Sequence, residues 1–183
     1  MKVAVIGLSP SSHDCSPWND PTWEKWGLPW DSDWVRCDRL FEMHDLDLIR
    51  TVKCRRSDYE DRLRSCLVPL YMQEQYPDLP CQRYPFEAVS ASLGRSYWNS
   101  SPAYMVALAI HEGAKEIGIW GVDSLDGEEY AYQRPNLEWL VGIAEGKGIK
   151  VTIPDTSPLC KFSGTGIKFG NELQTYKERY GRL

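Results

Sequence analysis

The 183 residues suit one domain with a real core and leave too little chain for two. Hydrophobic residues at 42% and charged residues at 26% are ordinary globular usage, so a folded chain rather than a disordered one is the default expectation. A net charge of −5 argues against non-specific nucleic-acid binding, and with neither a leader nor an apolar stretch of bilayer length the expected compartment is the cytoplasm, with no membrane partner.

Lys2 to Ile6 (KVAVI) is a short β-branched run ending at Gly7, the profile of a buried first strand. Leu8 to Pro21 is rich in Ser, Pro, Asp and Asn and should be turns and caps. Trp23 to Leu28 and Trp34 to Cys37 are expected to be the second and third strands, with Leu40 to His44 extending the latter or turning off it. Trp18, Trp23, Trp26, Trp30 and Trp34 crowd this region; they line a pocket, make a subunit contact or pack a loop. The basic run Arg50, Lys53, Arg55, Arg56, Arg62 and Arg64 reads as a solvated helix face. Ser57 with Glu60 forms a capping box for a helix through Cys66, and Val68 to Met72 is a further strand. Residues 73–99, with three prolines, are expected to be an irregular excursion that buries Tyr76, Leu79, Tyr84 and Phe86.

Ser100 or Ser101 caps a helix with Pro102 at its first position, and Ala103 to His111 is apolar nearly all round, so this helix should be buried on most sides. His111 then reads as a core histidine. Ile117 to Val122 is a strand ending at Asp123, Glu128 to Glu145 a long helix that Pro135 kinks or opens, and Ile149 to Ile153 a last strand. Asn171 to Tyr180 closes the chain as a short helix within a C-terminal extension, 155–183. Six cysteines at 15, 37, 54, 66, 81 and 160 show no metal-binding spacing, so reduced thiols and no structural metal are expected.

Strands separated by long helices imply βαβ units: a single α/β domain over 1–183, with a Rossmann-like parallel sheet flanked by helices on both faces. Ligands of such sheets bind outside the carboxyl ends of the strands. Three places follow, Gly7 to Ser12, Asp38 to His44 and Asp123 to Arg134, and the helix start at Asn99 adds a second anion candidate. Gly7 to Ser12, with Ser9, Pro10 and Ser11, can cradle a phosphate or make an ordinary turn. Asn99-Ser100-Ser101-Pro102 joins hydroxyls to a helix N-terminus, as an anion site or a plain cap. Asp38, Arg39, Glu42 and His44 form a polar set, with Asp38, Leu40 and Glu42 on one side of the chain; it supplies an acid or base, or an Asp–Arg pair beside a surface histidine. Asp123 at a strand tip suits ribose or a metal ion, with Asp126, Glu128 and Glu129 behind it. Tyr132, Gln133 and Arg134 follow, with Tyr130, Arg134 and Glu138 on one helix face.

Asn99 to Asp123, NSSPAYMVALAIHEGAKEIGIWGVD, resembles a stretch of bacterial sialyltransferase-like proteins in which a serine turn opens an apolar helix and the next strand ends in Gly-Ile-Asp. Val5-Ile6-Gly7-Leu8-Ser9-Pro10-Ser11 is similar to the phosphate loop of that group, and Val35-Arg36-Cys37-Asp38 to its following strand. The ensemble, with Asp38 to His44 and Glu129 to Arg134, also resembles small tailed-phage proteins without assigned function. The resemblance implies that Gly7, Ser9, Pro10, Ser11, Ser100 and Ser101 hold the phosphate and sugar of a nucleotide. Leu8 stands where the group has Asn, and no histidine follows His111, where the group carries its catalytic one. The expectation is a phage protein that binds a nucleotide or nucleotide sugar, glycosyltransferase-like, in the host cytoplasm, with His44 or Glu42 as base. The alternatives are a non-catalytic binder that sequesters a host nucleotide signal or docks on a host protein, and a hydrolase or phosphotransferase using Mg²⁺. A homo-oligomer is a further expectation.

Overall fold

In the computed structural model, which describes residues 1–53, 58–124 and 128–161, seven strands form one parallel sheet. They are β1 (Lys2–Ile6), β2 (Trp23–Gly27), β3 (Arg39–Glu42), β4 (Leu70–Met72), β5 (Cys81–Arg83), β6 (Glu116–Trp120) and β7 (Lys150–Thr152). Their order is β5-β4-β3-β2-β1-β6-β7, all neighbours parallel. The chain lays down strands in one direction from β1 to β5, then crosses to the other side of β1. The joint between β1 and β6 is therefore the topological switch point.

The two faces are covered differently. Val3 and Val5 of β1, Trp26, Phe41, Ile117 and Ile119 bury against α3 (Phe86–Leu93), α4 (Ser101–His111) and α5 (Glu128–Gly146). Leu40, Leu70 and Met72 point the opposite way, towards α1 (Leu46–Leu48), its π-helical continuation Ile49–Lys53, and α2 (Tyr59–Arg64). Over β1, β2 and β6 that second face is closed by tryptophans: Trp23 and Trp120 meet edge to face at 5.2 Å, and Trp18 packs beside them. Trp26 lies in the core, while Trp30 and Trp34 pack on the α1–α2 side. Among the described residues no helix is long and apolar enough to cross a membrane.

Several expectations are corrected. Trp34–Arg36 is a 3₁₀ turn, with Val35 70% exposed; the doubly buried third strand begins later, at Arg39. Apolar content misled there, because Asp31 folds the preceding loop by accepting from the Asp33 amide and the chain turns before it extends. The stretch 73–99 is not irregular: it contains β5 and α3, and it does bury Leu79 and Tyr84. His111 is exposed at the end of α4 and bonds Ser92 Oγ at 3.0 Å. Pro135 lies inside α5 without ending it. Asp58, not Ser57, precedes α2. Ser57, Cys54, Arg55, Arg56, Asp126 and Asn171 to Tyr180 lie outside the described residues, as do the side chains of Lys53, Glu128, Glu129 and Tyr130. The other five cysteines are free thiols, and burial pushes Cys37 up to about 12 and Cys66 up to about 11.

Candidate functional site

The switch point is held by two glycines. Gly7 donates its amide to Trp120 O and Ser9 donates to Gly121 O, each at 2.8 Å. Any side chain on Gly7 would run into the Gly121 carbonyl, and any on Gly121, at φ +64°, into that of Gly7. Buried Ser12 Oγ accepts from the Gly121 amide at 2.8 Å. Ser11 Oγ donates to Asp123 Oδ1 at 2.5 Å, so the loops after β1 and β6 converge on one serine–carboxylate pair. The amides of Gly7 and Ser9 are thus committed to β6, which takes them out of the cradle expected of Gly7 to Ser12. Pro10 and Ser11 make the outer turn, with Leu8 half exposed beside them.

The helix starts face the same edge. α4 leads by a short turn into the amino end of β6, so its own N-terminus lies at the carboxyl ends of the strands. Ser100 takes the extended N-cap conformation, yet its hydroxyl makes no capping bond; Ser101 and Pro102 open the helix. Ser100 is buried and Ser101 half-buried. Asn136 of α5 donates to Asn99 Oδ1 at 3.1 Å and ties this turn to α5.

Further along the edge, after β3, Glu42 is 1% exposed and its carboxylate is surrounded by donors. Trp30 Nε1 donates to Oε2 at 2.6 Å, the Tyr59 hydroxyl donates to the same oxygen, and His44 brings both its amide, at 3.1 Å, and its Nδ1 to Oε1. Trp30 stacks on Tyr59 at 3.7 Å and seals the carboxylate from water. Burial and the adjoining carboxylate drive the Tyr59 hydroxyl far above the ordinary tyrosine value. Glu42 therefore has its oxygens spent on neighbours, and it holds the half-buried His44 ring through Nδ1.

Between these two stations sits His13, which sequence reasoning missed. It occupies a 3₁₀ turn, His13–Cys15, just after the first loop. Its Nε2 lies 2.7 Å from Asp31 Oδ2 on the loop after β2, and its Nδ1 3.1 Å from Asp14. Burial pulls the imidazole down, but bonds to Asp31 and Asp14 outweigh it and leave the pKa above the ordinary histidine value. A histidine following the first strand's loop, with Asp31 and Asp33 after the second, was the available signal.

Other expected residues lie elsewhere. Asp38 accepts from the Lys25 amide at 2.8 Å and joins β2 to the start of β3. Arg39 bonds Glu24 at 2.5 Å and Glu112, at the far end of α4, at 2.7 Å, and it lies over Trp26. Both stand at the beginning of β3, away from the carboxyl edge. Arg134 pairs with Glu138 at 2.8 Å and donates to Pro158 O and Lys161 O, fastening the 158–161 segment to α5. Tyr132 is exposed and Gln133 half-buried. A cavity of about 240 Å³ on the α1–α2 side is lined by Asp45, Arg50, Glu60, Arg64 and Tyr76. Arg50 and Arg64 there are engaged by Glu60, so this cavity is not basic in balance.

No protein-family model matches the sequence, and no curated protein matches it. Solved structures do. The sialyltransferase CstII from Campylobacter jejuni with the substrate analogue CMP-3FNeuAc aligns at 16% identity and TM-score 0.50, over 86% of this chain and 81% of that one. A single-residue variant of the CST-II sialyltransferase in complex with CMP aligns at 17% and 0.53, over 86% and 82%. The same sialyltransferase with trisaccharide acceptor and CMP aligns at 16% and 0.51, over 86% and 82%. At such identity the likeness is one of fold: the α/β architecture that this chain shares with those sialyltransferases.

Proposed function

We propose that the chain binds a nucleotide or nucleotide sugar at the β1–β6 switch point and transfers the sugar to an acceptor hydroxyl. The observation that carries this reading is the Ser11–Asp123 pair, where two loops of a transferase-type sheet meet on the sheet edge that the N-terminus of α4 also faces. Gly7 and Gly121 bring the backbone close enough for a phosphate to lie along the turn of Ser9, Pro10 and Ser11, and the α4 N-terminus with Ser100 and Ser101 offers it hydroxyls and a positive dipole end. Asp123 takes sugar or ribose hydroxyls. The small tailed-phage proteins that the chain resembles suggest the host cytoplasm as the setting.

His44 serves as the general base, replacing the histidine that the related transferases carry further along the chain. Glu42 is a positioning residue: buried and bonded by Trp30, Tyr59 and His44, it orients the His44 ring through Nδ1, so that proton transfer falls to Nε2. In the transfer step the acceptor oxygen, losing its proton to Nε2, bonds to the anomeric carbon. The bond from that carbon to the phosphate oxygen breaks, and the nucleotide leaves with the electron pair.

The test is His44→Gln assayed with labelled nucleotide sugars and by nucleotide binding. Turnover is expected to fall by at least about a hundred-fold while affinity stays within a few-fold, since a base acts mainly in the transition state. If the unmodified protein forms no product yet binds nucleotide tightly, the chain is a sequestering binder and the catalytic reading fails.

A further inference from the structure

We propose that His13, Asp31 and Asp33 form a binding site for a divalent transition-metal ion of the Mn²⁺ or Zn²⁺ type. One ligand atom from each side chain lies within 4.8 Å of the others. Two loops supply them, the one after β1 and the one after β2, so the sheet edge itself brings the set together.

Three observations converge. Asp31 is 4% exposed, and among the described residues its charged partner is the His13 imidazole rather than a lysine or arginine, so the cation that a buried carboxylate requires comes from a group that can instead ligate a metal. Arg62 comes near but donates to the carbonyl oxygens of Pro29 and Asp31 instead. The ring orientation of His13 is fixed from outside: Trp18 packs against it at 5.4 Å, and Asp14 stands 3.1 Å from Nδ1. A carboxylate on one ring nitrogen is what holds a metal-ligating histidine with the other nitrogen's lone pair directed at the ion. His13 Nε2 and Asp31 Oδ2 face each other at 2.7 Å and share a proton, without which the two acceptors need another positive charge between them. A metal ion meets that need with a modest opening, because bonds of about 2.0–2.2 Å set neighbouring ligand atoms roughly 3–3.5 Å apart.

Asp31 Oδ1 is occupied by the Asp33 amide at 3.0 Å, which leaves Oδ2 as the ligating oxygen. Asp33 is half exposed, held among the described residues by Arg36 at 3.3 Å, and can swing in as the third ligand. One imidazole with two carboxylates favours Mn²⁺ or Zn²⁺ over Mg²⁺ or Ca²⁺, and three protein ligands keep positions open for water or an anionic oxygen. The His13 amide bonds to Ser9 O, so those open positions adjoin the loop of Ser9 and Ser11.

The site does not depend on the transferase reading, and its test uses metal alone, without nucleotide. Chelator-treated protein is titrated with Mn²⁺, read by loss of the free-ion electron paramagnetic resonance signal, with Zn²⁺ as competitor. One saturable site per chain is expected, weakened at least about ten-fold in His13→Gln and in Asp33→Asn. Circular dichroism checks the fold of both variants. Asp33, on a half-exposed side chain, keeps the test decisive should His13→Gln fail to fold. Absence of a saturable site in the unmodified protein overturns the proposal, and so does a site that either folded variant leaves intact.

Discussion

Gly7 and Gly121 confront each other backbone to backbone at the point where the sheet reverses direction, and neither position has room for a methyl group. Gly121 carries the further demand of φ +64°, a conformation that L side chains rarely adopt. Gly121→Ala is therefore expected to destabilise the protein by about 1–3 kcal/mol, measured by urea unfolding, and to weaken nucleotide binding by displacing the Ser11–Asp123 pair. Gly7, Ser11, Ser100, Asp123 and His44 stand beside a strand end or a helix start, and those positions were legible in the sequence. Pairings were out of reach. Ser11 and Asp123 are separated by most of the chain, and His13 meets Asp31 only because β1 and β2 run side by side. Asp38 and Arg39 were placed wrongly for the same reason, since their roles depend on Lys25, Glu24 and Glu112, contributed by other elements.

Among the elements, α4 is the one on which the fold depends most. Its residues Met105 to Ile110 are buried without interruption, because the helix is wedged between the sheet, α3 and α5. Leu108→Ala should cost roughly 2–5 kcal/mol of unfolding free energy, measured calorimetrically or in denaturant. A loss below about 1 kcal/mol would mean that α4 does not sit in the core. This helix, β1, β6, α5 and β7 were readable because each is a long or strongly apolar run bounded by Gly, Pro or a capping Ser. The failures have a common cause too. β5 is three residues at a sheet edge with only Cys81 buried, so it has no pattern to detect. The 3₁₀ turn at Trp34–Arg36 had the composition of a strand but presents its valine to solvent.

At the scale of the whole molecule, the amino edge of the sheet is clamped by one acid. Glu116 on β6 bonds Lys150 of β7 at 2.7 Å and approaches Lys2 of β1 at 3.4 Å, joining three neighbouring strands. The hydrogen bond from Lys150, aided by Lys2, holds its pKa below the usual glutamate range. A folded-state value below the unfolded one, which is about 4.3, stabilises the fold at neutral pH, and the contribution is lost as pH falls through the folded value. Unfolding curves between pH 7 and pH 3 should show the unmodified protein more stable than Glu116→Gln at neutrality, the gap narrowing on acidification. A gap independent of pH would remove the clamp.

The central place of β1 carries a consequence for how the chain comes off the ribosome. β1 precedes both of its neighbours in the chain, and β6 emerges long after β2. Until then β1 to β5 can pair in order, but one edge of β1 stays open and Val3 and Val5 lack the helices that cover them. Every strand contact in the sheet is parallel, and that of β1 with β6 pairs Lys2 with Glu116 across a long stretch of chain, which slows assembly and prolongs that exposed stage. The nascent half-sheet is thus the state most prone to mispairing, and arrival of the α4–β6 unit is the event that ends it, closing the core and joining Gly121 to Gly7 in a single step.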